Sequence, residues 1–160
     1  MLEHTIKQIE QTKKSFQKQS YPYKTIDIAG RSINYYVVPQ TLNEDLPDFV
    51  IRISNNEAYV IGISNSVPEQ LQPYFVLEEY IEFMEKGIEK ENCVIEAEQE
   101  VIAIIPQTFK KDYLKKRIAL FTKELILDKK QPDKYALGTK GRQEFENNLT
   151  YLKAELAKNQ

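Results

Sequence analysis

The sequence predicts an α+β fold: an N-terminal helix, a four-stranded antiparallel sheet, and then about four helices. Apolar residues recur at helical spacing near the N-terminus, four short runs rich in Ile, Val and Tyr follow, and helical periodicity then returns. Because 160 residues suffice for one sizeable domain, we expect a single domain. Its predicted parts are an N-terminal helix at 1–20, a sheet at 24–63, a helical core at 67–128, a loop at 129–141 and a C-terminal helix at 142–158.

The composition excludes several classes of protein. A hydrophobic content of 41% and a charged content of 29% are ordinary for a globular protein. The net charge of -2 argues against a general nucleic-acid binder. No apolar run approaches the roughly 18 residues that span a bilayer, and the N-terminus lacks the pattern of a signal peptide. Cys93 is the single cysteine, so no internal disulfide forms. We therefore expect a cytoplasmic protein without a membrane partner.

The N-terminal helix is predicted from an apolar stripe. Leu2, Ile6, Ile9 and Phe16 are spaced by four, three and seven residues, which places them on one helical face. The residues between them are good helix formers such as Lys, Gln and Glu. Pro22 disfavours the α conformation of the residue before it, so we expect the helix to end at Tyr21-Pro22-Tyr23.

Four strands are predicted from apolar runs between turn residues. The runs are 25–29, 32–38, 49–53 and 58–63. Gly30-Arg31 joins the first two, and Asn55-Asn56, which tolerates a positive φ, joins the last two. Short turns between consecutive strands indicate an antiparallel meander, and helices must cover its apolar face.

Helices are predicted from Ser66 onward. Ser66 is an expected N-cap, with Pro68 in the first turn and Glu69 at the capping-box position. We expect this helix to stop at Gly87 and the next to end at Pro106. The later helices are predicted at 92–105, 110–128 and 142–158. The first and last helices either pair with each other or a second copy, or pack on the rest of the fold.

Acidic residues collect on the two helices after the sheet. On a helical wheel Glu78, Glu82 and Glu85 lie opposite an apolar arc, so we expect an acidic face in water. Glu98 differs because it lies inside an apolar arc that includes Val94. A buried carboxylate requires a cation, a hydrogen-bond donor or a proton.

The partner of Glu98 and the conformation of its segment have alternatives. Glu98 is either a functional acid or a residue paired with a cation; the candidate cations are Lys110, Lys111 and Arg117. Glu96 and Glu100 are expected to point into solvent from a helix. A strand would instead place them on the same face as Glu98, but Glu-Ala-Glu-Gln-Glu favours a helix.

The order of strands followed by two glutamate-bearing helices resembles the zincin-type metallopeptidase core. Glu78-Glu79-Tyr80-Ile81-Glu82 is similar to the His-Glu-x-x-Glu variant of the family motif, with glutamate in place of the leading histidine. The resemblance covers residues 66–105. It implies that Glu79 is the catalytic general base and that Glu78 and Glu82 are metal ligands. It also implies that Glu98 or Glu100 is the third ligand.

The chain departs from that family in its ligand types. Zinc prefers imidazole and thiolate, whereas three carboxylates suit Mg²⁺, Ca²⁺ or Mn²⁺. His4 is the single histidine and lies outside the motif. A zincin-like fold here would therefore indicate a descendant that has lost metal and chemistry.

The remaining charged segments are interpreted as solvated surface. The cations of Lys110 to Arg117 spread around their helix, so a track for a nucleic-acid backbone is not expected. Gly138 to Arg142 lacks the pattern of a P-loop and is expected to be a connector.

Two functions follow as expectations. The first is a non-enzymatic binding or interaction domain without a cofactor, which acts on a protein partner or as a homo-oligomer and does not bind nucleic acid. The alternative is a metal-dependent hydrolase, or its inactive zincin-like relative, with a divalent metal ion as cofactor.

Overall fold

The computed structural model describes residues 4–87 and 90–159 and confirms the α+β fold. In chain order the elements are α1 Ile6–Lys18, β1 Tyr23–Ile28, β2 Arg31–Val38, a 3₁₀ turn Gln40–Asn43, β3 Val50–Ser54, β4 Tyr59–Ser64, α2 Gln72–Tyr80, a π-helical segment Ile81–Lys86, α3 Cys93–Ile104, α4 Gln107–Lys130, α5 Pro132–Tyr135 and α6 Gly138–Lys158. The chain forms two compact units, residues 1–93 and 94–160. That these units act as a single domain stays a prediction.

The predicted antiparallel meander is wrong, because the sheet is mixed. Its order is β1-β2-β4-β3, with β2 parallel to β4 and the other two pairs antiparallel. β4 is nearly continuous in apolar side chains and is buried over Val60 to Ser64, which suits a central strand. β3 carries Arg52 between Ile51 and Ile53 and lies at the edge. β4 therefore lies next to β2, in the central position that β3 would have in a meander.

Two helices cover opposite faces of this sheet in residues 1–93. The Phe16 ring of α1 packs edge-on against Tyr36, with the ring centroids 5.3 Å apart. The Tyr80 ring of α2 packs in the same way against Tyr59, at 5.5 Å. Tyr36 pairs with Gly62, so Tyr59 lies an odd number of residues away along β4 and projects from the other face. The sheet is therefore the middle layer of three.

Gly62 allows α1 to approach the sheet closely. A Cβ at this position would lie 3.1 Å from Val38 Cγ1 and 3.2 Å from Phe16 Cε2. We expect Gly62→Ala to lower the free energy of unfolding by about 1–3 kcal/mol, the usual range for an overpacked core. Gly141→Ala is the matched control, because its Cβ would have an ordinary contact of 3.5 Å in helix α6.

Urea denaturation of both variants measures this difference. The control should gain about 0.5–1 kcal/mol, because alanine is the better helix former. An unchanged or higher stability for Gly62→Ala would contradict the close packing of α1 on β4.

Helix α1 begins and ends inside its predicted limits. Thr5 caps it through a reciprocal capping box with Gln8, and the helix ends at Lys18. Ile9 and Phe16 are buried as predicted, but Ile6 is 47% exposed. Leu2, which was expected on the same stripe, lies outside the described residues.

Both predicted hairpins form, and the turn of the first lies one residue earlier than predicted. The first turn is Ala29-Gly30, with φ of 50° and 78°, where Gly30-Arg31 was expected. Two consecutive positive φ values match the tight turn of a two-residue hairpin. The second turn lies at Asn55-Asn56 as predicted, but neither residue has the positive φ on which the prediction depended. The Asn55 side-chain oxygen instead closes the turn by accepting from the Glu57 and Ala58 amides.

The predicted start of the helix at Ser66 is wrong. The Ser66 hydroxyl donates to the Pro47 carbonyl and lies 2.7 Å from Asp48 Oδ1, and α2 begins only at Gln72. Ser66 therefore ties the chain back to the segment before β3 and caps no helix. The stop at Gly87 is confirmed, with φ of 85°.

Helix α3 lies within its predicted bounds, whereas α4 and α6 exceed theirs. α4 extends from Gln107 to Lys130, and the expected loop 129–141 contains α5 and the start of α6. The interpretation of Gly138 to Arg142 as a connector is wrong, because these residues form the first turn of α6. None of the helices within residues 4–87 and 90–159 combines the length and the apolar character needed to cross a bilayer.

Candidate functional site

Three predicted site residues meet in residues 1–93. Glu78, Glu79 and Glu82 each offer a carboxylate oxygen, and these oxygens lie within 4.8 Å of one another. Glu78 and Glu79 belong to α2, and Glu82 lies one turn later in the π-helical segment. Residues three and four apart face the same side of a helix, which brings the three side chains together. We call these residues the glutamate cluster.

The expectation that Glu78 and Glu82 form a solvated face is wrong. Glu78 is 1% exposed and Glu82 is 5% exposed, whereas Glu85 is exposed. The helical wheel assumed a uniform α-helix, but the chain switches to i→i+5 bonding, as the Gly87 amide to Glu82 carbonyl bond shows. This wider turn separates Glu85 from the cluster.

Glu85 instead forms a two-point ion pair with Arg31. Arg31 Nε lies 2.5 Å from Glu85 Oε2, and Nη2 lies 2.7 Å from Oε1. The hydrogen bond from Arg31 lowers the pKa of Glu85, against the effect of partial burial. This pair links β2 to the π-helical segment.

Arg52 supplies a positive charge at the glutamate cluster. Its Nε lies 3.9 Å from Glu79 Oε1, and its guanidinium carbon lies 3.6 Å from the centre of the Phe83 ring. Burial lowers the pKa of Arg52, and the charges of Glu79 and Glu82 oppose that shift. Arginine is not deprotonated in proteins, so Arg52 stays charged. The cluster is therefore adjacent to a cation from the chain itself.

Glu98 is fully buried, as its place in the apolar arc predicts. Arg117, one of its three predicted partners, lies 3.0 Å from Glu98 Oε1 through Nε. The Tyr113 hydroxyl donates to Oε2, and the Asn148 amide nitrogen lies 3.3 Å from Oε1. Each carboxylate oxygen thus has at least one donor, which offsets the loss of hydration.

Sequence reasoning missed several of these partners. Tyr113 and Arg117 are four residues apart on α4, so they share a helical face, and that spacing was a usable signal. Asn148 comes from α6 and is fully buried, and no local pattern marks it. Arg52 stands between two isoleucines in a strand. That pattern indicated only that polar and apolar side chains alternate, and it did not indicate a partner for the arginine.

The other predicted site residues have ordinary positions. Glu100 is exposed on α3, as expected, and Glu96 is partly buried. His4 makes two contacts with the end of β3: its amide donates to the Ser54 carbonyl at 2.9 Å, and its Nδ1 lies 3.4 Å from the Ser54 amide. The ligand role of Glu98 or Glu100 stays a prediction.

Asp128 forms a further buried ion pair in residues 94–160. It is 1% exposed and accepts from Arg142 Nη2 at 2.5 Å and from the Leu137 amide at 3.2 Å. The Arg142 hydrogen bond is the main reason that its pKa is lowered. The carboxylate therefore takes up donors at the N-terminal end of α6, from the Leu137 amide and the Arg142 side chain.

This pair predicts a dependence of stability on pH. Because the folded pKa of Asp128 is lowered, its contribution is present above the unfolded value of about 3.9 and is lost as the pH falls through the folded pKa. We expect Asp128→Asn to flatten the rise in unfolding free energy with pH below about pH 4. Urea denaturation across that range, with Asp133→Asn as an exposed control, measures the effect. Equal slopes for Asp128→Asn and the wild type would contradict it.

The chain matches no family model, no curated protein sequence and no solved structure in comparisons with known proteins. The resemblance of residues 66–105 to the zincin core therefore stays a prediction.

Proposed function

We propose that this chain is a non-enzymatic interaction domain that binds an acidic protein surface. The observation that carries the proposal is the pairing of its acids with its own arginines. Arg52 lies at Glu79, Arg117 at Glu98 and Arg142 at Asp128. Carboxylates held in this way are poorly placed to move protons or bind a substrate.

The lysines of α4, by contrast, remain accessible. The exposed ones fall within an arc of about 120° at 100° per residue, and we call them the lysine face: Lys111, Lys115, Lys123, Lys129 and Lys130. Ile126 lies near the middle of the arc and is 47% exposed, and Asp112 lies near its edge. An apolar residue surrounded by cations suits a partner with an apolar contact inside an acidic rim.

A protein partner fits this surface better than nucleic acid. Residues 94–160 carry 13 Lys and Arg against 10 Asp and Glu, a modest excess, and the whole chain carries -2. Nucleic-acid binding usually needs a strongly basic domain. A second copy of the chain is one protein that could supply the acidic surface.

Binding to an acidic peptide tests the proposal. We expect a fluorescein-labelled polyglutamate peptide to bind the wild type at low salt and to be released at high salt. Lys115→Glu/Lys123→Glu should weaken binding about tenfold or more, which corresponds to about 1.4 kcal/mol. Lys140→Glu/Lys153→Glu, which reverses two exposed lysines of α6, should have a smaller effect. Fluorescence anisotropy measures all three.

Two results would count against this function. Equal losses in both double variants would show that only total charge matters, and tighter binding to a DNA duplex of equal charge would favour nucleic acid. Light scattering over a salt series then identifies the partner type. A salt-sensitive dimer indicates a second copy, and a salt-insensitive monomer indicates a different protein.

A metal-dependent hydrolase or its inactive relative is the second candidate, and the glutamate cluster is the observation that favours it. Three carboxylate oxygens within 4.8 Å suit Mg²⁺ or Mn²⁺ better than zinc. In that case Glu78 and Glu82 would hold the ion, with Glu79 as the base implied by the family resemblance. A ligand of the folded state raises its melting temperature. A melting curve that EDTA lowers and Mn²⁺ raises would support this candidate over the first.

A further inference from the structure

The sheet of residues 1–93 opens between its two central strands. β2 and β4 pair only through Tyr36–Gly62, Val37–Ile63 and Val38–Ser64. Toward their N-terminal ends, β2 stays paired with β1 and β4 stays paired with β3. The two hairpins therefore diverge at the place where a longer parallel ladder would continue.

The Tyr59 side chain occupies this opening in place of a strand. The Asn34 amide donates to the Tyr59 hydroxyl at 3.0 Å, so it points into the opening. In a strand the carbonyl of a residue points to the same side as its amide, so the Asn34 carbonyl faces the opening as well. The opening thus presents polar backbone groups.

A groove of about 210 Å³ lies at this opening. Tyr36, Val60 and Ile61 are buried members of its lining, and Tyr23 is 56% exposed. Tyr23 and Tyr36 pack with ring centroids 4.7 Å apart, and Tyr36 continues to Phe16. The exposed Tyr23 ring therefore ends a row of packed aromatic rings, on which a further ring can pack.

The hydroxyl groups of Tyr36 and Tyr59 in the groove can each donate a hydrogen bond to a ligand. Tyr59 accepts from the Asn34 amide, and Tyr36 accepts from Gln17 Nε2 at 3.5 Å. A hydroxyl that accepts one hydrogen bond keeps its own proton to donate. Burial is the main cause of the raised pKa of Tyr23, and the phenols of Tyr36 and Tyr59 raise it further. Burial also raises the pKa of Tyr59, so the phenols of Tyr23 and Tyr59 keep their protons at neutral pH.

Lys13 adds a positive charge to the lining. It comes from α1 and its ion pair with Glu10 is 3.6 Å long, with Lys13 36% and Glu10 53% exposed. Such an exposed pair is weak and is readily exchanged for another anion. Glu57 also lines the groove from the β3–β4 turn and disfavours a second negative charge on a ligand.

We propose that this groove binds a small aromatic carboxylic acid. The ring packs against Tyr23, and the carboxylate accepts from Lys13 and the Tyr36 phenol on the α1 face of the sheet. It also accepts from the Tyr59 phenol, which reaches the opening from the α2 face. The volume is below the roughly 300 Å³ at which drug-sized sites begin, so the ligand is small. This site is separate from the lysine face and does not depend on the function proposed for it.

Titration of the full chain with three probes tests the site. The probes are benzoate, benzylamine and acetate, and the readout is the amide NMR signal of Asn34. We expect benzoate to shift this signal saturably with a Kd on the order of millimolar, as suits a fragment of this size. Benzylamine lacks the carboxylate and acetate lacks the ring, so each should bind at least about tenfold more weakly.

Matched variants separate the site from general charge effects. Lys13→Gln and Tyr59→Phe should each weaken benzoate binding several-fold, whereas Lys14→Gln and Tyr135→Phe should leave it unchanged. Lys13 is on the surface, so its substitution also tests the site if Tyr59→Phe disturbs the fold. No saturable shift with benzoate, equal shifts with benzylamine, or equal losses in Lys14→Gln would each overturn the proposal. None of these results bears on polyglutamate binding.

Discussion

Replacement of Arg117 with methionine is expected to lower the free energy of unfolding by about 3–5 kcal/mol. This is the usual effect of removing one member of a buried ion pair, because the remaining charge is left in the interior. Arg117 is 3% exposed and Glu98 is fully buried. Methionine keeps a similar length of apolar chain against Phe121, so the loss of the charge dominates.

Two further variants isolate that charge. Glu98→Gln/Arg117→Met should recover most of the loss, since glutamine can still accept from Tyr113 without a buried charge. Lys115→Met, an exposed change in the same helix, should alter stability by less than about 0.5 kcal/mol. Urea denaturation followed by circular dichroism measures all of them. A double variant as unstable as Arg117→Met would show that packing, not charge, causes the loss.

Replacement of Arg52 with methionine is expected to lower the free energy of unfolding by about 3 kcal/mol. The arginine is 9% exposed and Glu79 is 17% exposed, so the effect falls at the lower end of the range for buried pairs. The glutamate cluster then loses the positive charge of Arg52. We therefore expect millimolar Mn²⁺ or Mg²⁺ to raise the melting temperature of this variant, because binding to the folded state stabilises it.

The control for this experiment is Arg31→Met. Its partner Glu85 is 35% exposed and lies outside the cluster, so its loss should be about 1 kcal/mol or less and metal should not reverse it. If Arg52→Met is insensitive to Mn²⁺ while the wild type responds, the arginine does not take the place of a metal. Thermal melts of both variants with and without EDTA give this comparison.

Many local elements of the fold were predictable from the sequence, and the order of the strands was not. The Asn55 turn depends on a side chain that accepts from nearby amides, and the stop at Gly87 depends on a positive φ that glycine adopts freely. The parallel pairing of β2 and β4 depends on which strand is buried on both faces. Burial on both faces is a property of the tertiary structure, and its single signal in the sequence is the apolar run from Val60 to Ile63.

The candidate site was predictable to the same extent. The burial of Glu98 and its pairing with Arg117 followed from a helical wheel and the cost of an isolated charge. The wheel failed at Glu78 because α2 is buried on more than its apolar face: Val76, Leu77 and Glu78 are consecutive and all buried. After Tyr80 the chain changes to a π-helix, so periodicity at 100° per residue no longer places Glu82 and Glu85. Arg52 reaches the cluster through the sheet topology, so no spacing in the sequence connects them.

The direct measurement is a titration of the wild-type protein with Mn²⁺, followed by paramagnetic broadening of its amide NMR signals. If the glutamate cluster is held by Arg52 and serves the fold, signals of residues 78–83 should broaden no more than those of exposed acids such as Asp133. Saturable broadening centred on residues 78–83 at one ion per chain would contradict that account. It would identify the cluster as a metal site.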